Sequence, residues 1–342
     1  MPRRAFLLGG SGQTGRALVP RLLEHGWEVT IGSRGGRPIP AGTAQVELDR
    51  NDGSALRSAL AGGVDVLIDF IAFEPEHAEQ LLSLRGLVRS LVVISSASVY
   101  ADAQGRTMDE AGGPDSFPEF RVPITEAQRI AEPGPATYST RKAAIEQLLL
   151  GQDELPATVV RPGAIHGPGG QWNREWYVVK RVLDRRRFIA LADQGRSRFH
   201  TTSVDNLAEL LWLAAERPGF RALNCGDPSP PSVLEIVRAI AGAMEHDWAE
   251  LLLPRSQGLE GPGETPWSVP KPVVLDLSEA ELQLGYRPLK SYERAVPRTI
   301  EWLVEATRRR PWEEVLPGTA RNLPQAFDYE AEDALVAGLT AG

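Results

Sequence analysis

The chain has a single cysteine, Cys225, among its 342 residues. One cysteine excludes a disulfide framework within the chain and any metal cluster built from several cysteines, and no metal site is expected. Long apolar runs are also missing, because no stretch has the roughly 18 uncharged apolar residues of a membrane helix, and the run at 5–8 is too short for a secretion signal. We therefore predict a cytoplasmic protein with no membrane partner.

An excess of positive charge is missing as well, since 37 Lys and Arg stand against 45 Asp and Glu, a formal net charge of −8. Nucleic-acid binders neutralise phosphates with a basic face, so no nucleic-acid partner is expected. Hydrophobic residues make up 42% and charged residues 24%, which is typical of a folded chain. The length of 342 residues predicts two domains or one large α/β unit.

Short apolar runs alternate with helix-like segments, which predicts a parallel sheet covered on both faces. The runs that predict strands are 5–8, 28–31, 64–71, 87–94, 158–161, 222–224 and 273–275. We predict an α/β fold: a Rossmann-like, doubly wound parallel sheet with a smaller C-terminal substrate domain. Residues 1–166, with 198–225 returning to them, would bind the cofactor. Residues 167–342 would form the substrate domain and, after about 311, a loosely docked tail.

A glycine-rich turn follows the first predicted strand and opens a helix. It contains Gly9, Gly12 and Gly15, with Gln13 and Thr14 between the last two. Glycines at this place let the backbone approach a pyrophosphate that lies on the helix N-terminus. An ordinary glycine turn is the alternative, but the strand–turn–helix context favours a dinucleotide site.

The end of the second predicted strand indicates which dinucleotide fits. The stretch 32–37 has no carboxylate for the adenosine ribose, whereas Ser33 and Arg34 would suit a 2′-phosphate. NADP is therefore the predicted cofactor, with NAD as the alternative. Arg34 and Arg37 would otherwise be solvated loop charges. Asp49, after the probable third strand, would bind the adenine amino group.

Tyr138 and Lys142 are four residues apart and share one face of a predicted helix. A free tyrosine has a pKa near 10 and is a weak base at neutral pH. A nearby ammonium is expected to stabilise the phenolate and lower the pKa of Tyr138.

Together these motifs resemble the short-chain dehydrogenase/reductase superfamily, in its extended, epimerase/dehydratase-like branch. The resemblance covers most of the chain, through the glycine turn, the Ser-Ser-x-Ser-Val-Tyr run at 95–100, Tyr138-x-x-x-Lys142, and the segments 161–168, 203–208 and 284–288. It implies hydride transfer to or from a substrate carbon. Tyr138 would move the hydroxyl proton, Ser96 would hydrogen-bond the reacting oxygen, and Lys142 would bind the nicotinamide ribose. Further cofactor contacts are expected at Arg50, Phe70, Ile71, Ala72, Ser95, Pro162, Gly163 and Ile165.

Departures from the family pattern narrow the chemistry that the resemblance implies. Ala97 and Ser98 stand where sugar dehydratases carry Asp-Glu, so water elimination is not expected, and Ser98 would instead face substrate. Ala164 replaces an Asn that holds a nucleotide diphosphate, and Asp69 replaces a His. His166 replaces a Tyr and is either a substrate contact or a packed loop histidine.

Segment 171–200 is basic, with eight Lys and Arg against three Asp and Glu. The resemblance places it in the substrate domain, where an anionic substrate would find complementary charge. Arg198 is the expected direct contact, while Arg185–Arg187 would fan around a helix over 176–188. A solvated basic face is the alternative. Trp172 and Trp176 would either contact an aromatic or sugar ring of the substrate or pack at a domain interface.

Three functions are consistent with these observations. The first is an NADP(H)-dependent oxidoreductase acting on a secondary alcohol or ketone of a small, anionic substrate. The second is an NAD(P)-dependent epimerase of a nucleotide sugar. The third is a non-catalytic dinucleotide- or RNA-binding relative, which the presence of both Tyr138 and Lys142 disfavours. A homodimer is left open.

Overall fold

The computed structural model describes residues 2–254, 261, 263–324 and 326–340. The strands are β1 (Arg3–Leu8), β2 (Trp27–Ser33), β3 (Ala44–Glu47), β4 (Val66–Asp69), β5 (Leu91–Ile94), β6 (Ala157–Pro162), β7 (Ala164–His166), β8 (Phe188–Leu191), β9 (Thr201–Ser203), β10 (Arg221–Cys225) and β11 (Ala249–Leu252). The helices are α1 (Gln13–Glu24), α2 (Gly53–Ala59), α3 (Pro75–Leu82), α4 (Tyr138–Leu150), α5 (Trp176–Leu183), α6 (Val204–Glu216), α7 (Val233–Ala243), α8 (Ser278–Leu284), α9 (Tyr292–Thr307), α10 (Trp312–Val315), α11 (Pro317–Asn322) and α12 (Tyr329–Thr340).

Seven strands form one parallel sheet in the order β10-β6-β5-β4-β1-β2-β3. The strand order reverses at β1, which pairs with β2 on one side and β4 on the other. In open α/β sheets ligands bind at such a reversal, outside the carboxyl ends of the strands. The prediction of a doubly wound, Rossmann-like α/β fold is confirmed.

The sheet is apolar on both faces because alternate side chains of its buried strands enter two separate cores. In β1, Ala5 and Leu7 pack with α1 and α6, whereas Phe6 and Leu8 pack with α3 and α4. Each face is thus closed by helices. The carboxyl ends of the strands are the edge at which the glycine turn and the other loops meet.

The C-terminal part contains two short sheets, in which β7 pairs with β9 and β8 pairs with β11. Here the structure differs from the sequence prediction. Helix α5 ends at Leu183, because Arg185 has a φ of 55° and the chain continues into β8. Arg185–Arg187 therefore lie in a turn rather than around a helix. The segment 273–275 makes only isolated bridges, to Phe199 and Ile124.

The predicted loose tail is wrong for the residues described beyond 311. Leu316 and Thr319 are completely buried, and Leu316 belongs to the apolar core around α5, α7 and α9. The Trp312 ring lies 6.1 Å from that of Trp176. The weak helical periodicity is explained by the short length of α10 and α11, and Trp312 and Val315 of α10 pack against the same core. No helix in the described part of the chain combines the length and the apolar character needed to cross a membrane.

Candidate active site

A cavity of about 510 Å³ opens at the carboxyl ends of β1, β4, β5 and β6. Helix α4 and the segment after β7 close its sides. Its lining residues are Gly9, Gly12, Gln13, Thr14, Gly15, Phe70, Ile71, Phe73, Ile94, Ser95, Ser96, Tyr138, Lys142, Pro162, Gly163, Ile165, Trp172 and Arg174. The cavity therefore joins the glycine turn to the Tyr-x-x-x-Lys helix.

The glycine turn is built for a close approach of backbone. Gly9 has a φ of 82°, which favours glycine, and its amide donates to the carbonyl of Gly32 in β2 at 2.8 Å. A Cβ at Gly15 would lie 2.2 Å from the carbonyl oxygen of Gly10, so a side chain there cannot fit. This cradle, at the N-terminus of α1, fits a pyrophosphate that needs backbone N–H groups and a positive helix end.

Helix α4 starts at Tyr138 because Thr137 caps it. The Thr137 hydroxyl accepts from the amide of Thr140, and the Thr140 hydroxyl accepts from the amide of Thr137. Tyr138 therefore occupies the first helical position, at the mouth of the cavity, and its side chain is 37% exposed. Lys142 lies one turn deeper and is 1% exposed.

The Lys142 ammonium is held by two backbone carbonyls. Its Nζ donates to Ala72 O at 2.5 Å and to Ile94 O at 2.9 Å, at the ends of β4 and β5. It lies 4.9 Å from the centre of the Phe73 ring and 5.7 Å from that of Tyr138. Two of its three N–H groups are occupied, which leaves one for a ligand.

Burial dominates the electrostatics of this helix. It lowers the pKa of Lys142 to about 8, although the Asp69 and Glu146 carboxylates act in the opposite direction. It also raises the pKa of Tyr138, which a hydrogen bond with Ser96 offsets in part. The structure thus differs from the expected lowering of the pKa of Tyr138, because burial of the phenol outweighs the hydrogen bond with Ser96. At neutral pH the phenol carries its proton and can donate it.

A buried ion pair supports the helix from below. The Arg161 guanidinium of β6 contacts the Glu146 carboxylate at 2.5 Å, and Ser95 donates to the same carboxylate at 2.5 Å. The Tyr100 hydroxyl accepts from Arg161 at 3.1 Å and donates to Asn224 at 2.6 Å. This network ties α4 to β5, β6 and β10, and so fixes the height of Lys142 and Ser95 in the cavity.

The remaining predicted cofactor residues lie outside this cavity. Ser33 and Arg34 end β2, and the Arg34 side chain is exposed. Asp49 follows β3 and accepts from the amide of Asn51 at 2.8 Å. The contact of these three with the adenosine end of a dinucleotide stays a prediction. Ala72 is fully buried and serves the site through its carbonyl, which holds Lys142.

The structure does not support the predicted cofactor contact of Arg50, because its guanidinium is turned into the protein. It is 7% exposed and contacts the Asp69 carboxylate and the Gln80 side chain at 2.8 and 2.9 Å. Asp69 also accepts from the amide of Ile71, so the pair fixes the loop after β4. Arg50 therefore supports the lining residue Ile71 and does not line the cavity.

None of the three predicted substrate contacts lines the cavity. His166 is 2% exposed and contacts Asp227 at 2.9 Å; burial lowers the pKa of its ring, but Asp227 outweighs this and raises it. Arg198 is 44% exposed, donates to Pro230 O and lies 3.6 Å from Glu235. Ser98 completes the turn after Ser96 through its amide, which donates to the Ser96 hydroxyl at 3.1 Å.

Comparison with known proteins identifies the family. The model of the NAD dependent epimerase/dehydratase family matches residues 5–226. The chain belongs to this family. The resemblance inferred from its motifs is thereby confirmed.

Named relatives of this family member have different activities. A dTDP-L-rhamnose 4-epimerase from Burkholderia thailandensis is 26% identical over 62% of this chain and 58% of its own length. A probable UDP-glucuronate 4-epimerase from Rhizobium meliloti is 24% identical over 55% of this chain, which spans 59% of that relative. A dTDP-6-deoxy-L-talose 4-dehydrogenase from Kitasatospora kifunensis is 24% identical over 90% of this chain and 96% of its own.

Among solved structures, a UDP-glucose 4-epimerase from Thermotoga maritima superposes with a TM-score of 0.67 at 17% identity. The superposition covers 88% of this chain and 99% of the epimerase. At this identity it supports the shared fold.

Four lining residues of this family member were not predicted as site residues: Phe73, Ile94, Trp172 and Arg174. Ile94 directly precedes the predicted Ser95 and Ser96, so its place was readable from the sequence. Trp172 and Arg174 come from the loop before α5, whose path depends on packing. Trp172 lines the cavity, and its contact with a ring of the substrate stays a prediction.

Proposed function

We propose that this protein is an NADP(H)-dependent oxidoreductase that transfers a hydride to or from the secondary alcohol or ketone carbon of a small anionic substrate. The observation that carries the proposal is the meeting of the glycine turn with Ser96, Tyr138 and Lys142 in one cavity. A binding protein without catalysis has no use for a tyrosine and lysine so placed. NADP, when bound, supplies the hydride or accepts it.

In the proposed reaction the chain positions the substrate oxygen and donates a proton to it or accepts one from it. Ser96 and the Tyr138 hydroxyl donate to the carbonyl oxygen, and Tyr138 transfers its proton to the oxygen as the carbon is reduced. The raised pKa of Tyr138 favours this direction at neutral pH, because the phenol is protonated. Lys142 binds the nicotinamide ribose with its remaining N–H and stabilises the phenolate left behind.

The proposed preference for NADP depends on the residues that would contact the adenosine end of the cofactor. The exposed Arg34 at the end of β2 is available to pair with a 2′-phosphate. One observation acts against it. The Glu47 carboxylate of β3 lies 3.2 Å from the position that a Cβ on Gly35 would take, and an acid there suits ribose hydroxyls. We propose that Arg34 outweighs Glu47, because Glu47 lies on the neighbouring strand.

Epimerisation of a nucleotide sugar is the second candidate. The named epimerase relatives support it, and so does the absence of an acidic side chain at Ala97 and Ser98. Ser96 and Tyr138 would then remove and return the hydroxyl proton, and a bound cofactor would accept and return the hydride. The substitution of Ala164 for the family's Asn acts against a nucleotide sugar.

Isotope transfer distinguishes the two candidates. Protein is incubated with NADPH deuterated at C4 and with candidate ketones or nucleotide sugars, and products are analysed by mass spectrometry. The proposed reductase yields a deuterated alcohol together with NADP⁺. An epimerase yields an isomer with no net consumption of NADPH and is purified with its cofactor still bound. A protein that does neither with any carbonyl, and that binds neither NADPH nor NADH, would contradict both.

A further inference from the structure

Arg174 is the basic residue of segment 171–200 whose side chain lines the cavity. Other arginines of the segment are engaged elsewhere: Arg181 contacts Glu332, Arg186 contacts Asp333 and Arg196 contacts Asp193. The segment is therefore neither a uniform binding face nor a uniformly solvated one. A single guanidinium in it is directed to the site.

The guanidinium of Arg174 has no anionic partner among the described residues. Its Nε is buried and makes no hydrogen bond there. The negative charge of the adjacent Glu175 acts on Arg174 without forming an ion pair or a hydrogen bond with it, and the Glu175 carboxylate accepts from the Tyr292 hydroxyl at 3.2 Å. The residue as a whole is half-buried, and a partly desolvated cation without a partner is costly unless a ligand anion completes it.

Two aromatic faces hold the guanidinium in place. Its central carbon lies 4.9 Å from the Trp172 ring centre and 5.7 Å from that of Phe199. Burial lowers the pKa of Arg174 to about 10, which still leaves it charged at neutral pH. The planar, pre-oriented cation thus offers its N–H groups without first losing side-chain freedom.

Arg174 is on the side of the cavity that continues from Ser96. Phe199, its aromatic neighbour, packs with Ala97 and Tyr100, which follow Ser96 in the chain. Within the described residues, no hydrogen bond or ion pair joins Arg174 to the glycine turn. An anion bound at Arg174 would accordingly belong to the molecule whose carbonyl meets Ser96 and Tyr138.

We propose that Arg174 binds an oxyanion of the substrate, a carboxylate or a phosphate group, through paired N–H···O hydrogen bonds, with Trp172 and Phe199 orienting the guanidinium. This assignment rests on the proposed function for the identity of the substrate carbon. It replaces Arg198 as the residue that selects an anionic substrate.

The test measures binding rather than turnover, so its result can be interpreted whether or not the chain is an oxidoreductase. Calorimetric titrations use two matched probe pairs, UDP against uridine and D-glucuronate against D-glucose, on protein saturated with NADP⁺ and on protein without it. We expect at least one anion to bind the wild type about tenfold more tightly than its neutral partner. Arg174→Met should remove that preference, and Arg174→Lys should keep only part of it.

The control is Arg187→Met, which removes the same charge from an exposed position of the same segment and should leave the preference unchanged. If Arg174→Met fails to fold, judged by its melting temperature, Arg174→Lys decides. A Trp172→Phe variant that loses the ligand-induced fluorescence change would place the probe beside Trp172.

Three outcomes would overturn the proposal. The wild type could bind neither anion better than its neutral partner, or the preference could survive in Arg174→Met. Alternatively, the wild type could show no preference for an anion while Arg174→Met weakens NADPH binding about tenfold. That result would assign Arg174 to the cofactor diphosphate, which would lie within the same region because Gly170 approaches Gln13 of the glycine turn. Absence of NADPH binding by the wild type would contradict the proposed function alone.

Discussion

Glu146 and Arg161 form an ion pair of 2.5 Å directly below the proposed catalytic lysine, and neither side chain is more than 5% exposed. Glu146 is one helical turn beyond Lys142, and Arg161 lies near the carboxyl end of β6. The pair links the helix that carries Tyr138 to β6, and Ser95, directly after β5, donates to the same carboxylate. The geometry of the cavity therefore depends on charges that never reach it.

Breaking this pair should be strongly destabilising. We expect Glu146→Ala to lower the free energy of unfolding by about 3–5 kcal/mol, because it leaves the Arg161 charge buried and uncompensated. Urea denaturation followed by circular dichroism measures the change. The control is Glu154→Ala, which breaks an exposed pair with Arg85 and should cost less than about 1 kcal/mol. A similar small cost for both variants would show that the buried pair does not support the helix.

Removing the Tyr138 hydroxyl should stop catalysis and spare cofactor binding. Tyr138→Phe is expected to lower kcat by about 10²–10⁴-fold, since it removes the proton donor and keeps the ring. The dissociation constant for NADPH, from fluorescence titration, should change less than about threefold. Tyr329→Phe, which alters a hydroxyl bonded to Asp184 away from the cavity, serves as control. Wild-type turnover in Tyr138→Phe would refute the proposed role.

The burial of Lys142 should appear in the pH dependence of stability. Its pKa falls from an ordinary 10.5 to about 8 on folding, so between these values the unfolded chain binds more protons than the folded one. Raising the pH through this window therefore favours the folded state. Relative to Lys142→Met, the wild-type free energy of unfolding should rise by up to about 3 kcal/mol from pH 8 to 10.5 and stay level below pH 7.

Urea titrations of both proteins across this range measure the difference. A difference that is flat from pH 7 to 10.5 would mean that Lys142 keeps an unperturbed ammonium in the folded protein, and a difference that falls with pH would mean that folding raises its pKa.

The opposed charges of Arg34 and Glu47 should decide whether NADPH or NADH binds more tightly. Arg34→Ala is expected to weaken NADPH binding about tenfold and leave NADH binding nearly unchanged, because only NADPH carries the 2′-phosphate. Glu47→Gln should strengthen NADPH binding and weaken NADH binding. Fluorescence titration of both nucleotides with each variant measures the four effects. Tighter binding of NADH than of NADPH by the wild type would reverse the assignment.

The sequence alone determined the sheet and the main elements of the cavity. Periodic apolar runs specify buried parallel strands, and motifs at fixed spacing, such as Tyr138 and Lys142, stay together because one helix carries both. The glycine turn is equally local. These features depend on residues close in the chain. The resemblance to the family and the α/β fold could therefore be predicted from the sequence. The division of the chain at residue 166 stays a prediction.

Only the tertiary structure decided which charges reach the cavity. Arg50, His166 and Arg198 are suitable residue types, but Asp69, Asp227 and Glu235 hold them elsewhere, and these partners are 19, 61 and 37 residues away in the chain. Arg174 was one cation among eight in its segment. It is set apart because no carboxylate of the described residues forms an ion pair with it, and because Trp172 and Phe199 lie beside its guanidinium. Pairing between distant residues leaves no periodic signal, so it appears only when the chain is folded.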